Sequence, residues 1–191
     1  MAKEPGSEWH IDGGAPALAA AQSNATARIS IAAYEPSARI SLRLRAQRAA
    51  DIAHAGSMLI PMAINTCVVL DDRTVARLGP DEWLVLCSET DAEGLTAKFE
   101  AALRGTIFAL TDISHRNVGI AVAGLNAREV INCGCPLDLS DARFPPGSAT
   151  RTLLGKAEIV LLRQGIEAAY RIECWRDRKS TRLNSSHPYR S

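Results

Sequence analysis

Three polar residues stand close together at residues 112–117, where the sequence reads DISHRN. Asp112, Ser114 and His115 are the residue types of a nucleophilic hydrolase, in which a histidine takes the serine proton and a carboxylate orients the histidine. However, neighbouring side chains on an extended chain point in opposite directions, so Ser114 and His115 cannot readily hydrogen-bond each other. No Gly-x-Ser-x-Gly elbow surrounds the serine either. We therefore predict a polar bend between two strands, or a contact surface, with a free-standing hydrolase as the weaker alternative.

The other motifs that could bind a metal or a nucleotide are incomplete. Cys133 and Cys135 lack a second cysteine pair or a histidine at ligand spacing, so a tetrahedral zinc site is poorly supported. Gly155 and Lys156 lack the remaining residues of a phosphate-binding loop, and no GxGxxG sequence occurs. We predict no catalytic residue, no metal site and no cofactor-binding site in this chain.

The composition is that of an ordinary globular protein. The 191 residues are 47% hydrophobic and 23% charged, and the formal net charge of +1 does not indicate nucleic-acid binding. No apolar run approaches the roughly 20 residues that a membrane-spanning helix needs. The N-terminal sequence lacks the apolar core of a secretory signal, and an odd number of cysteines argues against a disulfide framework. We expect a cytoplasmic protein that binds neither nucleic acid nor membranes.

The residues considered so far must be positioned by strands and helices that alternate along the chain. Residues 38–46 alternate between apolar and polar side chains, which predicts a half-buried strand, and residues 47–56 follow as a short helix. Residues 73–88 contain two apolar runs around a Gly-Pro-Asp turn, which predicts a hairpin. Residues 90–103 have the capping-box spacing and the apolar period of an amphipathic helix.

The second half of the chain repeats this order. Residues 117–124 match the first strand, residues 126–134 match the first helix and residues 156–175 match the hairpin. Such self-similarity predicts an internal duplication. The predicted fold class is therefore α+β, with two βαββα halves forming antiparallel sheets covered by helices.

Both ends of the chain depart from this pattern. Residues 1–27 include a stretch rich in glycine, alanine, proline and serine and are predicted to be loose, so residues 28–175 form the predicted single domain. Residues 176–191 contain one isolated leucine and cannot bury enough apolar surface to offset the entropy of ordering. They also resemble a translated sequencing adapter. We interpret them as a disordered tail that replaces a closing C-terminal helix, with a natural tail as the alternative.

Five motifs together resemble the gamma subunit of heterotetrameric sarcosine oxidase. The resemblance spans residues 28–176, and its motifs are residues 77–86, 112–124, 131–140, 144–163 and 170–176. More distantly, the DISHR, LGPDEW and CPLDLS sequences are similar to the folate-binding domain of the glycine-cleavage T-protein. The resemblance implies a fold like that folate-binding domain, in agreement with the duplicated halves.

The resemblance also implies a function. It implies a non-catalytic accessory subunit of a four-chain oxidoreductase that converts sarcosine to glycine, with hydrogen peroxide and formaldehyde or methylene-tetrahydrofolate as products. In this family the other subunits, alpha, beta and delta, carry FAD, FMN, NAD, zinc and tetrahydrofolate, and they would be the partners of this chain. A folate-binding module that acts on its own, like an aminomethyltransferase, is the alternative.

The same motifs contain candidates for subunit contacts. These are polar or amphipathic residues without an obvious core role: Trp83, His115, Arg116, Asn117 and Arg151. Trp83 is included because tryptophan and arginine are enriched at interface hot spots, although a strand tryptophan is more often a core residue. Arg43, Arg45 and Arg48 are interpreted as a solvated face of the first strand and helix, or alternatively as contacts to an acidic partner.

Overall fold

A computed structural model of the chain describes residues 24–26, 28–34, 36–45, 47–50, 59–165 and 168–175. The strands among these residues form two antiparallel sheets. The strands are, in chain order, β1 (Asn24–Thr26), β2 (Ile29–Ala33), β3 (Ala38–Leu44), β4 (Thr66–Leu70), β5 (Arg73–Gly79), β6 (Glu82–Cys87), β7 (Phe108–Asp112), β8 (Asn117–Ala123), β9 (Ala149–Leu154), β10 (Ala157–Arg163) and β11 (Ala169–Trp175). Sheet A has the order β1-β2-β8-β11-β10-β9, and sheet B has the order β4-β5-β6-β3-β7.

Helical segments follow the strands at the predicted places. A 3-10 turn (Glu89–Asp91) leads directly into α1 (Ala92–Ala102), and α2 spans Ala127–Asn132. The cap of the first segment differs from the prediction, because the Ser88 hydroxyl accepts from the Asp91 amide at 3.2 Å. Residues 47–50 are helical, and the rest of the helix predicted to end at residue 56 lies outside the described residues.

The two sheets repeat one arrangement of strands. The series β4-β5-β6-β3 in sheet B corresponds to β9-β10-β11-β8 in sheet A, so the predicted duplication and the α+β class are confirmed. Each half has two strands more than the predicted βαββα unit. In the first half these are β2 at its start and β4 before the hairpin, and in the second half they are β7 at its start and β9 before the hairpin. The first strand of each half pairs with the sheet of the other half, β2 with β8 and β7 with β3.

Three apolar clusters hold the layers together. Side chains alternate across a strand, so β6 and β10 contribute to a cluster on each of their faces. The sheets pack on each other through Cys67, Ala76, Leu84, Leu86, Ala149, Val160 and Leu162. The outer face of sheet B packs on Leu95, Phe99 and Leu103 of α1 and the turn after it. The outer face of sheet A is covered by Ile131 of α2 and by Leu139 and Phe144 of the following loop.

A buried ionic network joins the two sheets. The Glu173 carboxylate in β11 accepts from Arg39 Nε of β3 at 2.5 Å and from Arg171 Nε at 2.7 Å. The Glu173 side chain is 0% exposed, and those of the two arginines are 6% and 5% exposed. Gly119 of β8 lies beside the network, where a Cβ atom would be 3.0 Å from Glu173 Oε1. The backbone therefore approaches the network closely only because residue 119 has no side chain.

The two predicted terminal segments are mostly outside the described part of the chain. β1 lies within the residues 1–27 that were predicted to be loose, and it pairs with β2. Residues 176–191, for which we predicted a disordered tail, are outside the described residues. In the part that the structure describes, no helix combines the length and the apolar character needed to cross a bilayer.

Candidate functional site

A cavity of about 640 Å³ opens between the sheets, at the end where β3 and β11 finish and where β6, β8 and β10 begin. Four predicted contact residues line it: Trp83, Arg116, Asn117 and Arg151. They come from β6, from the β7–β8 connection, from β8 and from β9, and the strand order brings them together across more than sixty positions of sequence. The charged side chains that line the cavity are Arg43, Arg116, Arg151, Glu82, Glu158 and Glu173.

Glu82 lies between two of these arginines. Arg43 Nη2 is 3.3 Å from Glu82 Oε2, and Arg151 Nη2 donates to Glu82 Oε1. The Glu82 side chain is only 13% exposed, whereas both arginine side chains are 57% exposed. Because Arg43 belongs to sheet B and Arg151 to sheet A, the wall of the cavity already holds one carboxylate between guanidinium groups of both sheets.

Arg116 makes a different contact. Its guanidinium carbon is 4.1 Å from the ring centre of Trp175, which is a favourable cation–π distance. Trp175 is 49% exposed, at the end of β11. Within the described part of the chain, Arg116 has no carboxylate partner. The adjacent Asn117 has a buried side-chain oxygen that receives no hydrogen bond from any described residue.

Trp83 and His115 differ from the other three predicted contact residues in burial or position. The Trp83 side chain is 0% exposed and belongs to the core between sheet B and α1, where Nε1 donates to the Pro61 carbonyl oxygen at 3.1 Å. Its side chain is therefore part of the core, where the cavity meets the packing of sheet B on α1. His115 is exposed, but it does not line the cavity.

The DISHRN segment forms the predicted bend between β7 and β8. Ser114 donates to Asp112 Oδ1 from its backbone amide at 2.8 Å and from its hydroxyl at 2.5 Å. These hydrogen bonds hold the pKa of the Asp112 carboxyl below its ordinary value, and the nearby His115 lowers it further. The Ser114 oxygen in turn accepts from the Arg39 backbone amide at 2.9 Å. The serine is thus bonded to the carboxylate and not to the histidine, which is unlike a hydrolase triad.

A second cavity, of about 270 Å³, opens near the opposite ends of the strands. Its lining includes Tyr34, Thr74 and Gln164. The Tyr34 hydroxyl donates to Gln164 Oε1 at 3.2 Å, and Gln164 Nε2 donates to Thr74 Oγ1 at 2.8 Å. These polar groups satisfy one another, in contrast to Asn117 in the larger cavity. The larger cavity is therefore the better candidate for a functional site.

The Cys133-Gly-Cys135 sequence does not form a paired site. Cys133 is exposed and Cys135 is buried, and all five cysteines are free. Among the residues that the structure describes, no three histidine, cysteine, aspartate or glutamate side chains are grouped so that they could hold a metal ion.

The fold and the cavity define an α+β domain of two stacked antiparallel sheets with a charged opening between them. Residues 37–181, which are most of the chain, match the family model described as the GCVT N-terminal domain. The chain belongs to this family. The predicted kinship with the folate-binding domain of T-protein relatives is thereby confirmed.

Two solved structures illustrate the relationship. A chain of the heterotetrameric sarcosine oxidase from Corynebacterium sp. U-96, in complex with pyrrole 2-carboxylate, is 25% identical with a TM-score of 0.70, and the match covers 80% of this chain and 79% of that chain. The glycine cleavage system aminomethyltransferase T from Bartonella henselae is 16% identical with a TM-score of 0.54, and the match covers 77% of this chain but 42% of that chain. The second likeness shows the fold alone. No curated protein sequence matches this chain significantly.

Proposed function

We propose that this chain is a non-catalytic accessory subunit, of the gamma type, in a heterotetrameric sarcosine oxidase. The observation that carries the proposal is the match to one chain of such an enzyme over 80% of this chain and 79% of that chain. Nearly equal coverage means that the two chains have nearly the same length. The match therefore spans most of that chain, whereas the match to the aminomethyltransferase spans less than half of it.

In the proposed complex, catalysis belongs to other chains. Alpha and beta subunits would oxidise sarcosine to glycine with FAD, FMN and NAD, zinc would be bound by the delta subunit, and tetrahydrofolate would accept the methyl carbon on another subunit. We place the complex in the cytoplasm. The present chain would hold the larger subunits in a working arrangement through exposed residues such as His115, Arg116 and Arg151.

Co-purification tests the proposal. The chain, tagged at its N-terminus, is co-expressed with the genes beside its own, and the eluate is examined for large partner chains and for visible flavin absorbance. We expect a yellow eluate that contains partner chains. A colourless, solitary chain, both as it stands and with a C-terminal helix added after residue 175, would contradict the proposal.

A folate-binding module that acts on its own is the second candidate. The match to the GCVT N-terminal domain family favours it. Isothermal titration of the isolated chain with tetrahydrofolate separates the two candidates. An accessory subunit should give no binding heat when it is alone, whereas saturable binding with one site per chain would favour the second candidate.

A further inference from the structure

We propose that the larger cavity between the sheets is the docking site for an acidic segment of a partner subunit, whose carboxylate binds Arg116. The inference rests on the proposed function, because it requires a partner chain. It adds the chemistry of the contact, which the proposed function leaves open.

The first argument is the distribution of charge in and behind the cavity wall. Five arginines face three glutamates: Arg39, Arg43, Arg116, Arg151 and Arg171 against Glu82, Glu158 and Glu173. Glu82 is shared by two of these arginines, and Glu173 is shared by another two. Arg116 is the remaining arginine, and the described residues supply it only with the ring of Trp175. Its guanidinium group is therefore available to a carboxylate from another chain, and such charge-assisted pairs are strong.

The second argument is the neighbouring Asn117. Its buried side-chain oxygen receives no hydrogen bond from the described residues, and a buried acceptor without a donor is unfavourable. Arg116 thus presents a donor for an anion, and beside it the Asn117 oxygen would gain a donor if its side chain turned toward the cavity. A peptide segment with an aspartate or glutamate provides both a carboxylate and an N–H group, whereas an inorganic anion provides only the first.

The third argument is the apolar rim of the cavity. Trp175 is 49% exposed and Leu153 is 44% exposed, and both line the cavity. Tryptophan and arginine are the residue types that most often dominate protein–protein contacts. The stacked pair of Arg116 and Trp175 therefore fits a macromolecular partner better than a small solute.

A charge reversal tests the site in the co-purified complex. We expect Arg116→Glu to reduce the retained partner chains at least tenfold, because it places a carboxylate opposite the acidic segment. Arg143→Glu is the matched control, since Arg143 is also exposed but does not line the cavity. Both variants should keep the thermal melting profile of the wild type, because both side chains lie at the surface.

A zero-length cross-link tests the acidic character of the partner segment. Arg116→Lys keeps the positive charge and supplies a primary amine. A water-soluble carbodiimide activates a carboxylate in contact with that amine, and the amine attacks to form an amide while the carbodiimide leaves as a urea. Mass spectrometry of the assembled complex should find position 116 joined to an aspartate or glutamate of another subunit. Arg143→Lys should give no such product.

The outcomes separate this inference from the function on which it rests. If the wild type captures no partner, the proposed function fails and the inference fails with it. If the wild type assembles but Arg116→Glu assembles equally well, the inference is wrong and the proposed function stands. A cross-link from position 116 to residues 176–191 of the same chain, or to a second copy of this chain, also overturns the inference, as does an assembled complex without any cross-link at this position.

Discussion

Glu173 is a fully buried carboxylate that holds one arginine from each sheet. Arg39 comes from β3 and Arg171 from β11, so the network connects the sheets at their packed faces. A buried ion pair adds little to stability relative to apolar residues of the same shape, but its loss on one side leaves buried charge without compensation. The effect of a substitution at Glu173 is therefore much larger than the net contribution of the network.

We expect Glu173→Gln to lower the free energy of unfolding by about 3–5 kcal/mol, because two buried guanidinium groups lose their counter-charge. Urea denaturation followed by circular dichroism measures the change. Glu158→Gln is the control, since Glu158 is exposed and a surface substitution is expected to change the stability by about 0.5 kcal/mol or less. Equal stabilities of the two variants would show that the network does not hold the sheets together.

Alanine substitutions at Gly119 and at Gly94 should change the stability of the protein in opposite directions. A Cβ atom at residue 119 would lie 2.8 Å from the Cβ atom of Tyr34, so Gly119→Ala should cost about 1–3 kcal/mol by overpacking. Gly94 lies on the exposed face of α1 with nothing within 4 Å of an added methyl group, so Gly94→Ala should stabilise the protein by about 0.5–1 kcal/mol. Thermal unfolding of the two variants measures both changes in stability. A stabilising Gly119→Ala substitution would contradict the close packing of β8 on the ionic network.

The candidate site could be predicted from the sequence only in part. Arg116, Asn117 and Arg151 were selected because they are polar residues within recognisable motifs, and the strand order brings them to one cavity. The sequence did not indicate that the Trp83 side chain is fully buried, because alternation along a strand does not say which of its two faces is covered by a helix. Trp175 was missed as a partner of Arg116, because the pairing of β11 with β8 places it opposite Asn117 across more than fifty residues of sequence.

The bend between β7 and β8 is the element that orients the entrance of the cavity. Asp112 at the end of β7 accepts two hydrogen bonds from Ser114, and Ser114 accepts one from the backbone of β3. The bend is thereby fixed to sheet B immediately before Arg116 and Asn117. Its polar residues have a structural role that explains their type without any catalysis.

The pH dependence of stability should reveal this bend. The folded state holds the pKa of Asp112 below its ordinary value of 3.8. A carboxyl group with a lowered pKa stabilises the folded state above its unfolded pKa, and this contribution is lost as the pH falls through the folded pKa. We therefore expect Asp112→Asn to reduce stability at pH 7 and to flatten the loss of stability on acidification below about pH 4. Urea titrations at pH 7 and below pH 4 measure both effects.

Ser114→Ala is the companion variant for that prediction. It removes the hydroxyl that donates to Asp112 but keeps the backbone amide that donates to the same oxygen. Its pH profile should lie between those of the wild type and Asp112→Asn. Profiles of all three proteins with the same slope would show that Asp112 is not coupled to folding.

The elements differ in how well the sequence indicates them. The hairpin of β5 and β6 and the helix α1 lie where the apolar periods predict them, because each has a buried face with a regular pattern. β4 and β9 were missed, since they are edge strands of their sheets and several of their apolar side chains are exposed. A short edge strand is stabilised by pairing with its neighbour, and this stabilisation does not require a regular alternation of apolar and polar residues in its own sequence.

At the level of the whole molecule, the two halves are joined by exchanged strands. β2 belongs to the first half but pairs with β8, and β7 belongs to the second half but pairs with β3. Neither half can therefore complete a sheet on its own. The sequence predicted the duplication, but not this exchange, because local periods do not specify which strands become neighbours.

We expect the halves to fold only together. Residues 1–105 and residues 106–191, divided in the exposed turn at Gly105 between α1 and β7, should each lack a cooperative thermal transition when they are expressed alone. Co-expression of the two pieces should restore one transition, because the exchanged strands can then pair. A cooperative transition of either piece alone would show that the exchange is dispensable for folding.

The exchange also affects the order in which the protein can fold as it is made. Of the two paired strands, β2 is translated first, but its partner β8 is translated about ninety positions later, and β8 in turn pairs with β11 at residues 169–175. The growing polypeptide must therefore carry unpaired strand edges until β11 has been translated. Such edges are the surfaces through which unfinished chains aggregate. Chaperone binding to the nascent chain, and the rate of translation between β2 and β11, are the features of biosynthesis on which its yield should depend.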